Sequence, residues 1–424
     1  MDKYYFKRLK VSLYEGKTKD GLSYVLAPSK ASNIKYFGIL IPKGGLMDEV
    51  EIGGTKIPAG IAHLLEHRLF ETAQGDTLKK FSTQGAFANA YTTQSCTFFY
   101  FATSQGYEEP LNTLFSMFKY FYQTNEKLEA EKPIVLGELA SGRDDPSYVF
   151  DRQMVKSLYF SSPLKEEIIG TEKSLQSIHL SSVKKFYEQY YSVENLTFFA
   201  VGDFDPQEVV KLLNKAGLPS FKKLPVKKYQ NDEKYDKVAE PYTEINSPDG
   251  QTYLGVGIKF PRRQELYEKF GDDLFAFYEM AGDMIFSSVH ESIAKMRDDG
   301  LIIFNNGHYL EEAGEDTYMT AFFETNSPDK LKNALEKHFL DLPKAYKSMT
   351  SPFRSMQLSY LGSSIEDVGD SEDYLTNLID GYLNHFAWPA LVNRALAFKK
   401  NDACNFVKEV CSFPRAYVLL KGKE

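Results

Sequence analysis

The apolar and polar positions of this 424-residue chain switch between two periods, and the switches mark its elements. Short apolar runs predict strands at 22–28, after the Asp20-Gly21 turn, and at 35–41, ending at Pro42-Lys43-Gly44-Gly45. Further strands are predicted at 87–92, at 96–102 with the aromatic run Phe98-Phe99-Tyr100-Phe101, and at 196–201. Helical spacing predicts a helix at 61–70, with Ile61, Leu64, Leu65 and Leu69 on one side, and a short one at 77–81 closed near Gly85. Longer helices are expected at 109–122, where Leu111, Leu114, Phe115, Phe118 and Phe121 share a face, and at 126–141, where Pro133 should start or kink the regular part. Three more are expected at 149–159, through Tyr190 behind a Ser181-Ser182 cap, and from Asp205-Pro206 to Leu213.

Residues 218–249 are rich in Lys, Pro, Asp and Asn and carry few periodic apolar positions, which predicts an interdomain linker over 221–240. Beyond it the logic repeats: a strand at 252–260, a long helix at 272–296, an antiparallel pair at 301–309 and 317–325, and helices at 330–345 and 404–410 before a strand at 415–420. The closing helix and strand mirror 183–190 followed by 196–201. The expectation is an α+β protein of two related halves, residues 1–220 and 241–424, each a mostly antiparallel sheet packed with helices.

Composition narrows the function classes. With 43% hydrophobic and 25% charged residues the chain reads as an ordinary globular protein, and its net charge of -8 argues against nucleic acid as the main partner. Three cysteines, Cys96, Cys404 and Cys411, form no disulfide framework, so a reducing compartment is expected. The opening residues show no leader-like apolar stretch, and no apolar run approaches the ~18 residues of a membrane span. The expected location is cytoplasmic, with no membrane partner.

The chemistry concentrates in His63-Leu64-Leu65-Glu66-His67. At ~100° per residue the two histidines lie on nearly one line along a helix, with Glu66 on the adjoining edge. Two imidazoles one turn apart can share one metal ion, and the neighbouring carboxylate can reach a water bound to that ion. This is the inverted H-x-x-E-H pattern. Catalytic zinc usually takes three protein ligands, so one more group is needed. The best source is the helix carrying Glu131 and Glu138, two turns apart on one face. Either can be the ligand while the other supports the site with a hydrogen bond.

The order and spacing of His63-Leu64-Leu65-Glu66-His67, Asn89-Ala90-Tyr91-Thr92, Glu131 with Glu138, Ile169-Gly170-Thr171 and Val201-Gly202-Asp203-Phe204 resemble the pitrilysin/insulinase family of inverted zinc metallopeptidases. Within it the chain is most similar to short bacterial members related to processing peptidases. The resemblance implies the processing-peptidase-like metallohydrolase fold and one zinc ion per chain held by His63, His67 and Glu138. It implies Glu66 as general base, Glu131 as support for the site, and Asn89, Ala90, Tyr91 and Thr92 as an edge strand pairing with a peptide substrate. Active members also carry an Arg and a Tyr flanking a Gly-Leu pair in the second half. Here Arg297 stands one residue too close to Gly300, and the tyrosine position falls on Ile303. The resemblance therefore implies a peptidase whose partner is a related subunit lacking the metal motif. The alternative it carries is a catalytically silent scaffold or peptide-binding subunit.

Overall fold

A computed structural model describes residues 1–422 apart from Val289 and Met349. The chain divides into two compact units, each drawn from separate stretches of sequence. The first comprises Met1–Glu138, Glu166–Gln230 and Ser364–Ala390; the second comprises Leu139–Lys165, Asn231–Ser363 and Leu391–Glu424. The 221–240 stretch is tied to both units from within. Val226–Lys228 pairs with Glu49–Ile52 in the first unit, and Glu233 is embedded in the second.

The first unit is built on a seven-stranded sheet: β1 (Asp2–Phe6), β2 (Val11–Lys17), β3 (Ser23–Pro28), β4 (Lys35–Ile41), β5 (Phe87–Thr92), β6 (Thr97–Thr103) and β7 (Thr197–Gly202), in the order β1-β2-β3-β7-β4-β6-β5. Strand β7 is buried at every position, and its run of Thr-Phe-Phe-Ala-Val-Gly shows why: both faces are covered. Phe198 and Ala200 join the main core, while Phe199 stacks edge-on against Tyr382 of the helix Ser371–Leu383 at 5.5 Å. Strand β1 is the opposite case. It is almost wholly exposed and offers no period to read.

The second unit has a five-stranded sheet: β8 (Tyr242–Asn246), β9 (Tyr253–Lys259), β10 (Phe304–Ala313), β11 (Asp316–Glu324) and β12 (Arg415–Lys421), in the order β8-β12-β9-β11-β10. Numbered by chain position, β3, β4, β5, β6 and β7 and these five strands share one arrangement, 1-5-2-4-3. In both, the first strand runs parallel to the fifth and every other pairing is antiparallel. The two-halved α+β architecture is thus a repeated topology, to which the first unit adds β1 and β2.

Three helices differ from expectation. The stretch 272–296 is two helices, Leu274–Phe286 and Glu291–Asp298. Ser287 turns to extended backbone, and the His290 ring accepts a hydrogen bond from the Ser292 N–H, capping the second helix; Val289 lies outside the described residues. Pro133 does not start the regular part of its helix, which runs from Asn125 to Gly142 through the proline. The cap before Tyr190 is His179, whose backbone N–H donates to Ser182 Oγ.

A buried ion pair organises the second unit. Lys259 and Glu233 have fully buried side chains and meet at 2.5 Å. Glu233 also accepts from the backbone N–H groups of Phe160, Ser161 and Ser162, and Lys259 donates to the carbonyls of Leu158, Lys234 and Lys237. Among the described residues, no helix is long and apolar enough to cross a membrane.

Candidate metal centre

The helix α1 (Ile61–Leu69) begins at Gly60, which sits in the left-handed region at φ 89°. No side chain caps it. Instead the Ile169-Gly170 backbone crosses directly behind. A methyl group on Gly60 would run into the Ile169 carbonyl, and one on Gly170 would lie 2.8 Å from the Ala59 carbonyl. These two glycines let two backbones touch and seat the helix. Ile61, Leu64, Leu65 and Leu69 then anchor it in the core, each contributing about 1.5–3 kcal/mol of burial.

The opposite side of α1 carries His63, Glu66 and His67. Helix α2 (Asn125–Gly142) faces it with Glu131 and Glu138. Leu128, Val135 and Leu139 of α2 are buried. Ile134, beside the buried Val135, is 60% exposed, because it falls on the outer side of the turn.

The structure brings His63, His67 and Glu138 together: one ligand atom from each lies within 4.8 Å of the others. Oε2 of Glu138 is 3.6 Å from Nε2 of His63 and 3.5 Å from Nε2 of His67. Bonds of about 2.0–2.1 Å around a tetrahedral zinc place neighbouring ligand atoms about 3.3 Å apart, so the donor set and its spacing fit that ion. Burial, and then the neighbouring His67, push His63 down to about 4, which keeps its imidazole in the neutral, ligating form.

Glu131 is not in the trio. Its Oε1 takes the Nδ1 side of His67 at 3.1 Å and its Oε2 accepts from Arg68 Nη1 at 2.8 Å. Burial opposes its ionisation, but the bonds from Arg68 and His67 outweigh it and hold its carboxyl below the usual range. Glu131 and Glu138, alike in spacing, differ in placement: Glu138 faces both Nε2 atoms and Glu131 stands behind His67.

Glu66 is buried, and burial raises its carboxyl above the usual range against the pull of a hydrogen bond from Thr92. Thr92 Oγ1 donates to Glu66 Oε2 at 2.7 Å. Thr92 ends β5, which pairs with β6 on one side only and forms the edge of the sheet. Ala88, Ala90 and Thr92 share the strand face toward α1, while Asn89 and Tyr91 point to the other. The carboxamide of Asn89 accepts from the Ala90 N–H at 2.9 Å. Thr92 therefore has a contact with the candidate base that edge-strand reasoning did not foresee. Arg68 was missed altogether. Its signal was available, since it continues the Ile61, Leu64, Leu65 stripe into the buried side of the helix.

Two family models match the chain: Insulinase (Peptidase family M16) over residues 14–172 and Peptidase M16 inactive domain over 177–281, together more than half of it. The chain belongs to the insulinase, or M16, peptidase family. It is 33% identical over 210 residues to the uncharacterized zinc protease YmfH of Bacillus subtilis, a match covering 48% of this chain and 49% of that one. The matched stretch thus spans about half the length of this curated relative. Its fold is similar to that of an M16-like peptidase from Alicyclobacillus acidocaldarius, at a TM-score of 0.87 and 20% identity over 97% of this chain and 99% of that one. It also resembles the periplasmic protease PqqL from Escherichia coli, at a TM-score of 0.74 and 15% identity, where 97% of this chain matches 48% of the other.

Proposed function

We propose that the chain is a zinc metallopeptidase that hydrolyses peptides or small unfolded proteins. The observation that carries this reading is Glu66, held by Thr92 of an edge strand beside the converging donors of His63, His67 and Glu138. When bound, zinc lowers the pKa of a water to about 7 and polarises a carbonyl. The chain's own residues do the rest. A peptide adds to the free side of β5 by backbone pairing, which gives affinity with little demand on sequence. Glu66 takes the proton of the attacking water and passes it to the leaving amine. The hydroxyl of Thr92 fixes one carboxylate oxygen and leaves the other for that transfer.

The chain is, in this reading, the metal-bearing subunit of a heterodimer whose related partner supplies the substrate clamp. Arg297 is exposed and faces Asp298 at 3.7 Å, and Ile303 stands in the tyrosine's place. That this chain matches about half of PqqL supports a second half supplied in trans. The three free cysteines suit a cytoplasmic protein. A silent scaffold or peptide-binding subunit is the other reading. The inactive-domain match favours it for 177–281 alone, and all four residues of the candidate centre lie in the other match.

The test is zinc content together with cleavage of a quenched peptide. We expect about one zinc per purified chain, weak hydrolysis that a chelator removes and zinc restores, and a large gain on adding a related subunit without the metal motif. A chain that holds no zinc, or hydrolysis indifferent to the chelator, refutes the peptidase. Full activity from the chain alone refutes only the heterodimer.

A further inference from the structure

We propose that Arg68 is a positioning residue of the metal centre: by occupying one oxygen of Glu131 it commits the other to His67 and so sets the affinity for zinc. The inference rests on the zinc reading above and adds a residue to it.

Arg68 follows the ligand His67 directly, yet its side chain turns to the buried side of α1. A charge there requires partners, and every arm of the guanidinium has one. Nη1 donates to Glu131 Oε2 at 2.8 Å, Nη2 pairs with Glu71, and Nε donates to Gln123 Oε1 at 3.3 Å. Gln123 Nε2 donates back to the Arg68 carbonyl at 3.0 Å, closing a ring. Glu71 is held a second time by Lys127, which stands one turn before Glu131 on α2. The network ties the end of α1 to α2, the helix that carries Glu138.

The division of Glu131's oxygens is the consequence that matters. With Oε2 held by Arg68, Oε1 is left to accept from Nδ1–H of His67. That bond fixes the tautomer whose Nε2 lone pair faces Glu138, and it fixes the ring's rotation. A planar fork with several donors holds a carboxylate in one orientation, as a point charge cannot. Released from Arg68, the Glu131 carboxylate is free to rotate, and His67 loses its fixed partner.

The experiment is a double-variant cycle read as zinc affinity, by competition with a chromogenic chelator. We expect Arg68→Gln to weaken zinc binding about 10–100-fold, and Glu131→Gln to do the same. The double variant should bind no more weakly than Glu131→Gln alone, because Arg68 acts through Glu131. Arg68→Lys should recover part of the loss, and it carries the cycle if Arg68→Gln does not fold. A merely structural arginine would lower the unfolding midpoint of the zinc-free protein without this coupling. Arg68 variants that fold and bind zinc like wild type overturn the inference, as does a loss that persists in the Glu131→Gln background; both leave the peptidase reading intact. Wild-type protein that binds no zinc overturns both.

Discussion

Glu66→Gln is expected to keep the zinc and lose the hydrolysis. The substitution changes one oxygen to an amide and leaves His63, His67 and Glu138 untouched, so metal content should match wild type. What disappears is the group that takes and returns the proton. General acid–base catalysis contributes about 10²–10⁴-fold, and that is the fall expected in kcat for metal-replete protein. Burial prepares Glu66 for the role by raising its carboxyl above the ordinary value, toward the pH at which it would work. The Thr92 hydroxyl can still reach a glutamine carbonyl oxygen, so the edge strand should stay in place and KM should change little. Wild-type-like turnover by zinc-loaded Glu66→Gln would sink the assignment of the base.

The largest expected effect on stability lies far from that chemistry. Glu233→Ala leaves the fully buried Lys259 ammonium without its counter-charge and three backbone N–H groups without their acceptor. Breaking a buried pair on one side costs about 3–5 kcal/mol, a drop in the unfolding midpoint on the order of 10 °C for a unit of this size. The pH dependence has a definite sign. Burial opposes ionisation of Glu233, but the hydrogen bonds from Lys259 and the backbone prevail, and its carboxyl is held below the usual range. A depressed carboxylate gives stability that is present above the unfolded pKa, about 4.3, and that is lost as the pH falls through the folded value. The gap between wild type and Glu233→Ala in thermal unfolding should therefore be constant near neutrality and narrow below about pH 4. A gap that widens in acid would contradict the pairing.

Much of the fold was legible wherever burial imposes a period. The expected strands 35–41 and 87–92 coincide with β4 and β5, and the helix at His63 ends one residue earlier than expected. Strand β1 was invisible because its residues face solvent on both sides. The helix expected over 272–296 was drawn too long because no Gly or Pro follows Phe286 to mark a stop before the second helix; the break is made by caps, which are local hydrogen bonds and leave no periodic trace. The metal centre divides along the same line. His63, Glu66 and His67 follow from helical spacing within one turn. Glu131 and Glu138 were named as a pair, but their separate tasks depend on what Arg68 holds, a contact across 63 positions of chain that no local pattern encodes.

Strand β5 also implies a phase. A sheet edge presents its outward donors and acceptors from alternate residues only, so a peptide paired there keeps its faces when it slides by two residues and inverts them when it slides by one. Thr92 ties the end of this edge to Glu66, so the register of pairing and the place of chemistry cannot drift apart. In the proposed peptidase the edge strand would act as a vernier, sensitive to the parity of the substrate's position more than to any single side chain. Successive cuts in an unfolded protein would then differ in length by even numbers of residues, a ladder that mass spectrometry of the products resolves.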